Sequence, residues 1–589
     1  MIAVIGLSVA MPLLFILMMA GPASLLGKKL QLKAVEQLVI GLAGALIILG
    51  ICLLVGAAVG YFAVVTWGAL CAGGLITVHQ RRRLLIWARD PIVRSACGGW
   101  LLLLVVVTLY NWAIITFSGG GWSGDWLEHF ERSRLPLLGT HPSQVLFIGF
   151  IPYPSRPPMI NLLCGMFLQI FGDGFYVYQL ASSLLGSLAF FGGVLFLGLS
   201  DVQVTSRRIS VFTALFCLNP LIMQNLTYPW TKMATGFFVL CGLFVYREWV
   251  KRRQIEFLGV SVALMAGAST CHYSALVASV FPAAHLAWMI ARGRLLNVRI
   301  CIALAAGGLP MIVWLTICVI QLGWFQTFAT NSSVSDRDLS QPALWFSNFV
   351  QNVWSSIVPF WFRPLQQYPL FQSFSSWLEL AFILRNRFFL VYQTNLTFGL
   401  GIVGGFVVWS LALRALLSKP IEGGREITVF WAGLTASVVL IGAFAHANPD
   451  VFGVGHISGQ PLILLGLACL ARNLEHLSRI DRRWGVAIVG LLGLGWLVDL
   501  GFGVGLHGLI QACSPVDCQF PRDFDSGPVL WYNWQVKIGA GLRFVGDLVT
   551  VENSVVMGVV VGLLTIVWVR LMRTLIGCIH KNSVLDGGS

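Results

Sequence analysis

Asp125, Glu128 and His129 follow a glycine-rich stretch, Ser118-Gly119-Gly120-Gly121-Trp122-Ser123-Gly124, directly after an apolar run that ends near Phe117. Their i, i+3, i+4 spacing sets all three on one face of a helix. A carboxylate held just outside an apolar layer is partly desolvated and can act as a general base. Asp, Glu and His together also have the donor types of a divalent-cation site. The same spacing suits an ordinary helix start, with Asp125 as the cap and Glu128 in the capping-box position. Spacing alone leaves these readings open. Farther along, Arg156 stands immediately before Pro157-Pro158. A guanidinium ahead of a rigid turn can grip a phosphate through its planar fork, or it can be an ordinary interfacial arginine. Lys232 ends the segment Asn225-Leu226-Thr227-Tyr228-Pro229-Trp230-Thr231-Lys232 and is either a phosphate ligand or a snorkelling lysine. His272, in Cys271-His272-Tyr273-Ser274, can meet phosphate or sugar, or serve as a hydrogen-bonded structural histidine.

The elements that must position these residues are transmembrane helices. Of the 589 residues, 57% are hydrophobic and 11% are charged, with a mean hydropathy of +0.82. A soluble domain carries about 25% charged residues. Apolar runs long enough to cross a hydrocarbon core of about 30 Å recur along the whole chain. Backbone groups in lipid must pair internally, and the alternating strands of a β-barrel are absent, so the runs read as helices. The expected fold is an all-α polytopic membrane protein with about fifteen spans. They fall near 2–22, 36–56, 59–78, 98–117, 176–199, 208–224, 232–247, 255–270, 274–291, 299–322, 388–415, 427–446, 453–471, 484–507 and 553–573.

Charge sets the expected orientation. The net charge is +14, but the basic residues sit in short loops between apolar runs, which points to membrane topology and not to nucleic acid. Segment 157–172 is short and opens with two prolines. If it does not span, most of the 38 Lys and Arg residues fall on one side. It therefore reads as a juxtamembrane helix at the outer interface, with the N-terminus outside and the C-terminus cytoplasmic, in a cell (inner) membrane. No basic segment precedes the first apolar run, so a cleaved signal peptide is not expected. Four regions follow. Residues 1–97 form a three-helix extension, and 98–322 a membrane core with external loop 118–175. Residues 323–387 are an aromatic-rich external loop with Trp324, Trp345, Trp354, Trp361 and Trp377, and 388–589 hold the C-terminal helices with external loop 508–552. Most of the 13 cysteines lie inside apolar runs as small hydrophobes, while Cys513 and Cys518 share a polar loop where a disulfide can form. No Gly-x-x-x-x-Gly-Lys motif is present, which argues against an ATP-driven pump.

An acidic residue after the first core helix, then a basic-Pro-Pro-apolar segment with a Phe171-Gly172 exit, then Gln179-Leu180 and a Ser-Leu-Leu stretch form a pattern. Over roughly 98–300 it resembles the GT-C superfamily of polyprenyl-phosphate-dependent glycosyltransferases, on the branch of protein O-mannosyltransferases and lipid A aminoarabinose transferases. The resemblance implies an inverting transferase on the external face, with a GT-C-like core and external juxtamembrane helices. Its partners would be a polyprenyl-phosphate-linked sugar, membrane lipid, and a protein, lipid or glycan acceptor. Asp125 would be the general base and Arg156 the ligand of the donor phosphate. Many family members carry a second acidic residue near Lys232. Its replacement by lysine weakens a metal-bridged model and suggests direct phosphate binding, so a divalent cation stays open as a cofactor. Two other readings handle lipid-linked saccharides. A transporter or flippase needs charge inside the bundle, where Asp499 is the main candidate. An O-antigen ligase or polymerase uses Arg and His in a late external loop, where this chain offers Arg337 and Arg363 without a histidine. The turn from His446 to His456, with Asp450 between them, is a further possible acceptor surface.

Overall fold

The computed structural model describes residues 2–114, 125–149, 151–198, 204–293, 297–329, 341–359, 377–417, 425–446, 448–449, 453–474, 482–513, 543–549 and 553–580. Apart from one antiparallel pairing of two-residue strands, β1 (Leu146–Phe147) and β2 (Ile151–Pro152), the regular structure among them is helical. The first helices are α1 (Ile2–Gly27), α2 (Ala34–Ala58), α3 (Phe62–His79), α4 (Arg81–Arg89) and α5 (Pro91–Ala113). The next group is α6 (Asp125–Leu138), α7 (Met159–Phe171), α8 (Phe175–Ser187), α9 (Ala189–Leu195), α10 (Ser206–Leu218) and α11 (Pro220–Thr227). Then come α12 (Lys232–Arg252), α13 (Ile255–Cys271), α14 (Ser274–Gly293), α15 (Val298–Gly307) and α16 (Leu309–Phe328).

Among the described residues ten helices are long and apolar enough to cross a membrane, or eleven if the bent pair α10–α11 is one span. The other expected spans fall on shorter apolar helices, among them α13, α15, Phe430–Ala445 and Gln460–Leu474. Local chemistry explains several boundaries. α5 begins at Pro91, ahead of its apolar run, because Asp90 Oδ1 accepts from the N–H groups of Ile92 and Val93 at 2.8 and 3.0 Å. α10 and α11 meet at 68° because Asn219 caps the second helix and Pro220 supplies no N–H. The single span expected at 299–322 is two helices, α15 and α16, separated at Gly308.

The span expected at 388–415 is also broken. A helix ends at Thr394, Asn395 caps the short turn Leu396–Gly399, and a new helix begins at Gly404. Gly401 takes φ +93 there, a conformation glycine adopts without a Cβ clash. The buried Asp499 accepts from Tyr392 Oη at 2.7 Å and from Ile402 N at 3.1 Å, satisfying the freed backbone. Asp499 thus braces an unwound segment, a job the linear sequence gave no hint of.

Segment 157–172 forms the helix expected of it. At 13 residues α7 is about 20 Å long, too short to span. It does not lie on an open surface, however. Met159 to Leu168 are all buried, and α7 packs against α2, α3, α6, α8 and α13. The three-helix extension meets the core at this helix and also where α2 packs on α5, α9, α12, α13 and α16. A Cβ at Gly50 of α2 would lie 2.6 Å from Met159 Cγ, so the close approach of α2 to the start of α7 depends on that glycine.

Candidate functional site

The first turns of α6 and the Pro-rich segment before α7 are pinned together by Arg132. Asp125, Glu128, His129 and Arg132 lie at i, i+3, i+4 and i+7, so one stripe of α6 faces the loop. Arg132 is buried. Its Nε donates to Glu128 Oε1 at 2.7 Å. Its Nη1 donates to the carbonyls of Tyr153 and Arg156 at 2.9 and 3.2 Å, and its Nη2 to that of Pro152 at 3.1 Å. The guanidinium also lies 4.0 Å from the Phe147 ring centroid. From the other side Tyr273 Oη donates to Pro154 O at 3.0 Å, and Trp314 Nε1 donates to Tyr273 Oη at 3.1 Å. Prolines at 152, 154, 157 and 158 supply no N–H and restrict φ, so the carbonyls are what holds this segment. Nearby, Ile148 adopts φ 48, costly for a β-branched residue, and its N–H is held by Glu131 Oε2 at 2.8 Å.

This frame presents Arg156 to the acidic stripe. Arg156 Nη2 donates to Asp125 Oδ1 at 2.9 Å. Its Nη1 lies 3.1 Å from Glu128 Oε2, an ion pair without hydrogen-bond alignment, and 3.4 Å from His129 Nε2. Exposure separates the two carboxylates. The Asp125 and Arg156 side chains are 20% and 23% exposed, while that of Glu128 is fully buried between two arginines. Burial opposes the charged Arg156 guanidinium, but Asp125 and then Glu128 outweigh it and push its pKa up. Burial first, and the Arg156 charge second, hold the His129 imidazole well below the usual histidine range.

The other two candidates join the same cluster from elsewhere in the chain. Lys232 opens α12, interacts electrostatically with Asp125 and Arg156, and sets its Nζ 3.6 Å from the Trp230 ring centroid. It is buried, so it does not snorkel outward. His272, in the turn between α13 and α14, accepts from Ser274 N through Nδ1 at 3.1 Å and lies 2.9 Å from Ser274 Oγ, which assigns its proton to Nε2. Burial, then Lys232, then Arg156 depress its pKa. All six expected residues are therefore brought together, but in different roles. Asp125 and Arg156 reach the surface of the cluster. Glu128 and His129 lie behind them as supports.

The structure gives the cation-site reading of Asp125, Glu128 and His129 no support. Arg156 occupies the position between the two carboxylates, and no metal-holding group of three or more His, Cys, Asp and Glu is found among the described residues. Arg132 was missed in the sequence, although its i+4 spacing from Glu128 was a visible signal. His456 was seen only as part of a possible acceptor surface. It is half-buried, packs edge-on to His446 with ring centroids 6.0 Å apart, and interacts electrostatically with Lys232 and His272. Asp450, Arg337, Arg363, Trp361, Cys518 and the side chain of Cys513 lie outside the described residues.

No protein-family model matches the chain, and no curated relative matches it. Solved structures similar to the chain include two of one protein. One is the crystal structure of ArnT from Cupriavidus metallidurans in the apo state, 15% identical with a TM-score of 0.40, covering 82% of this chain and 77% of that one. The other is the same protein bound to undecaprenyl phosphate, 14% identical with a TM-score of 0.38, covering 81% and 77%.

Proposed function

We propose that the chain is a membrane glycosyltransferase of the GT-C type that moves a sugar from a polyprenyl-phosphate donor to an acceptor on the external face. The observation that carries this reading is the Asp125–Arg156 pair. A base and a phosphate-binding fork come from opposite ends of one loop, touch at 2.9 Å, and stay partly exposed beside Lys232 and His272. A lipid-anchored donor suits such a site, because its tail stays in the bilayer while its phosphate reaches the headgroup level.

In this reading the donor phosphate takes Arg156 Nη2 away from Asp125 and also meets Lys232 and His272. Arg156 keeps its contact to Glu128 through Nη1. Asp125, released from the ion pair, accepts the proton of an acceptor hydroxyl. The hydroxyl oxygen bonds to the anomeric carbon as that carbon's bond to the phosphate oxygen breaks, with inversion. The electron pair leaves on the polyprenyl phosphate, where the cationic side chains stabilise the developing charge. Every proton and electron pair is accounted for without a redox partner.

The test is Asp125→Asn assayed with a radiolabelled polyprenyl-phosphate sugar in proteoliposomes. Loss of the base lowers transfer by about 10²–10⁴-fold, with the thermal melt of the protein kept. Near-normal transfer by that variant removes Asp125 as the base and sinks the proposal.

A further inference from the structure

A cavity lies between the α2–α3 turn, the end of α6 and the second half of α16. Its volume is about 260 Å³. The wall is mainly apolar, with Leu54, Leu135, Ile317 and the rings of Phe62 and Tyr153; Thr140, His141 and Gln321 add polar groups, and no Asp, Glu, Lys or Arg lines it among the described residues. The lining selects a ligand class by exclusion. A phosphate or carboxylate would be desolvated with no countercharge. An acyl chain would match the apolar wall but leave Thr140, His141 and Gln321 without water, whereas a pyranose sets its C–H face on Phe62 and Tyr153 and its hydroxyls on the polar groups. The volume equals roughly nine waters, room for one sugar ring with its hydroxyls. His141, on the exposed side of the wall, is turned by contacts of its Nδ1 to Ser143 N at 3.3 Å and Ser143 Oγ at 2.7 Å.

We propose that this cavity is a saccharide subsite that binds one uncharged pyranose ring; its use for the acceptor rests on the glycosyl-transfer reading above. The subsite adjoins the reactive loop. Tyr153, part of its wall, is the residue whose carbonyl is held by Arg132, and it lies three positions before Arg156. The extension therefore gains a specific task, since Phe62 and the α2–α3 turn supply one side of the site. Two sugars would then be handled by two surfaces of one loop: the donor phosphate at Arg156 and a ring of the acceptor behind Tyr153.

The test uses the full chain in nanodiscs with uncharged methyl pyranosides, read by saturation-transfer NMR. Saturable binding is expected for the wild-type chain. Ala58→Trp, which fills the cavity from a partly exposed turn, should weaken it at least tenfold, and Gln321→Leu several-fold. Asp125→Asn should bind as the wild type does. Absence of saturable binding, or unchanged binding by Ala58→Trp, overturns the proposal. So does loss of binding in Asp125→Asn, which would put the ring at the ion-pair cluster, and so does displacement by short-chain phosphatidylcholine. If glycosides bind as expected while no lipid-linked donor supports transfer, the saccharide subsite stands and only the acceptor role falls.

Discussion

Arg132 and Glu128 illustrate how buried residues can hold in place a cluster whose exposed groups are other side chains. Both are fully buried and each is the other's countercharge, at 2.7 Å. Removing Arg132 leaves the buried Glu128 with only the unaligned contact to Arg156 and takes the donor from three carbonyls, so Arg132→Ala should destabilise the protein by about 3–5 kcal/mol. The double variant Glu128→Leu/Arg132→Met should recover much of that loss. Denaturant titration in mild detergent measures both, and a single variant as stable as the wild type would refute the clamp. The histidines give a pH prediction. The native pKa values of His129 and His272 are depressed, so both imidazoles are neutral in the folded protein at neutral pH. Below about 6.5 the unfolded chain binds protons that the native state refuses. Stability should therefore fall as pH drops through that value toward the native pKa, with no contribution above it. Melting temperatures taken from about pH 7.5 down to about 5.5 check this. His129→Gln should flatten the slope, and an unchanged slope would contradict the assignment.

Among the elements, α2 and α7 matter most for the site. α7 is too short to span, yet it is buried on almost every side, which fixes where its first turn and the preceding Arg156 stand. α2 reaches it by the bare backbone at Gly50. Gly50→Leu should push Met159 aside and cost about 1–3 kcal/mol by overpacking. If that contact positions the loop, donor KM should rise more than the melting temperature alone would explain. A variant with wild-type KM would show that the extension is packing only. Helix breaks at Asn219-Pro220 and at Asn395 show the same logic. Each frees backbone groups inside a bundle, and each is answered by a polar side chain.

Across the whole molecule, the turns that carry Asp125, Arg156, Lys232 and His272 converge at one end of the helical bundle. We propose that this end is external, with the N-terminus outside and the C-terminus in the cytoplasm, as the charge bias of the loops indicates. A cysteine replacing Ser143, in the exposed part of the same loop, should then react with a membrane-impermeant maleimide added to intact cells. A cysteine replacing Arg82, in the exposed α4, should react only after permeabilisation. The reverse pattern would turn the site inward and remove the reason for a lipid-anchored donor.

Composition and hydropathy alone determined that the chain is a helical membrane protein, because lipid imposes a length and an apolarity that a linear count can read. The capping-type spacing at Asp125 and the Arg-Pro-Pro segment were also legible, since both are local patterns. Span integrity was less so: the breaks at 308 and 395–403 lie inside runs apolar enough to hide them. Only the tertiary structure decided which carboxylate is buried and which is presented. It also decided that Arg156 fills the place a cation would need, and that Lys232, His272 and His456 meet from distant parts of the chain. Those outcomes depend on distances between segments far apart in sequence, and on burial that one helix face cannot reveal without its neighbours.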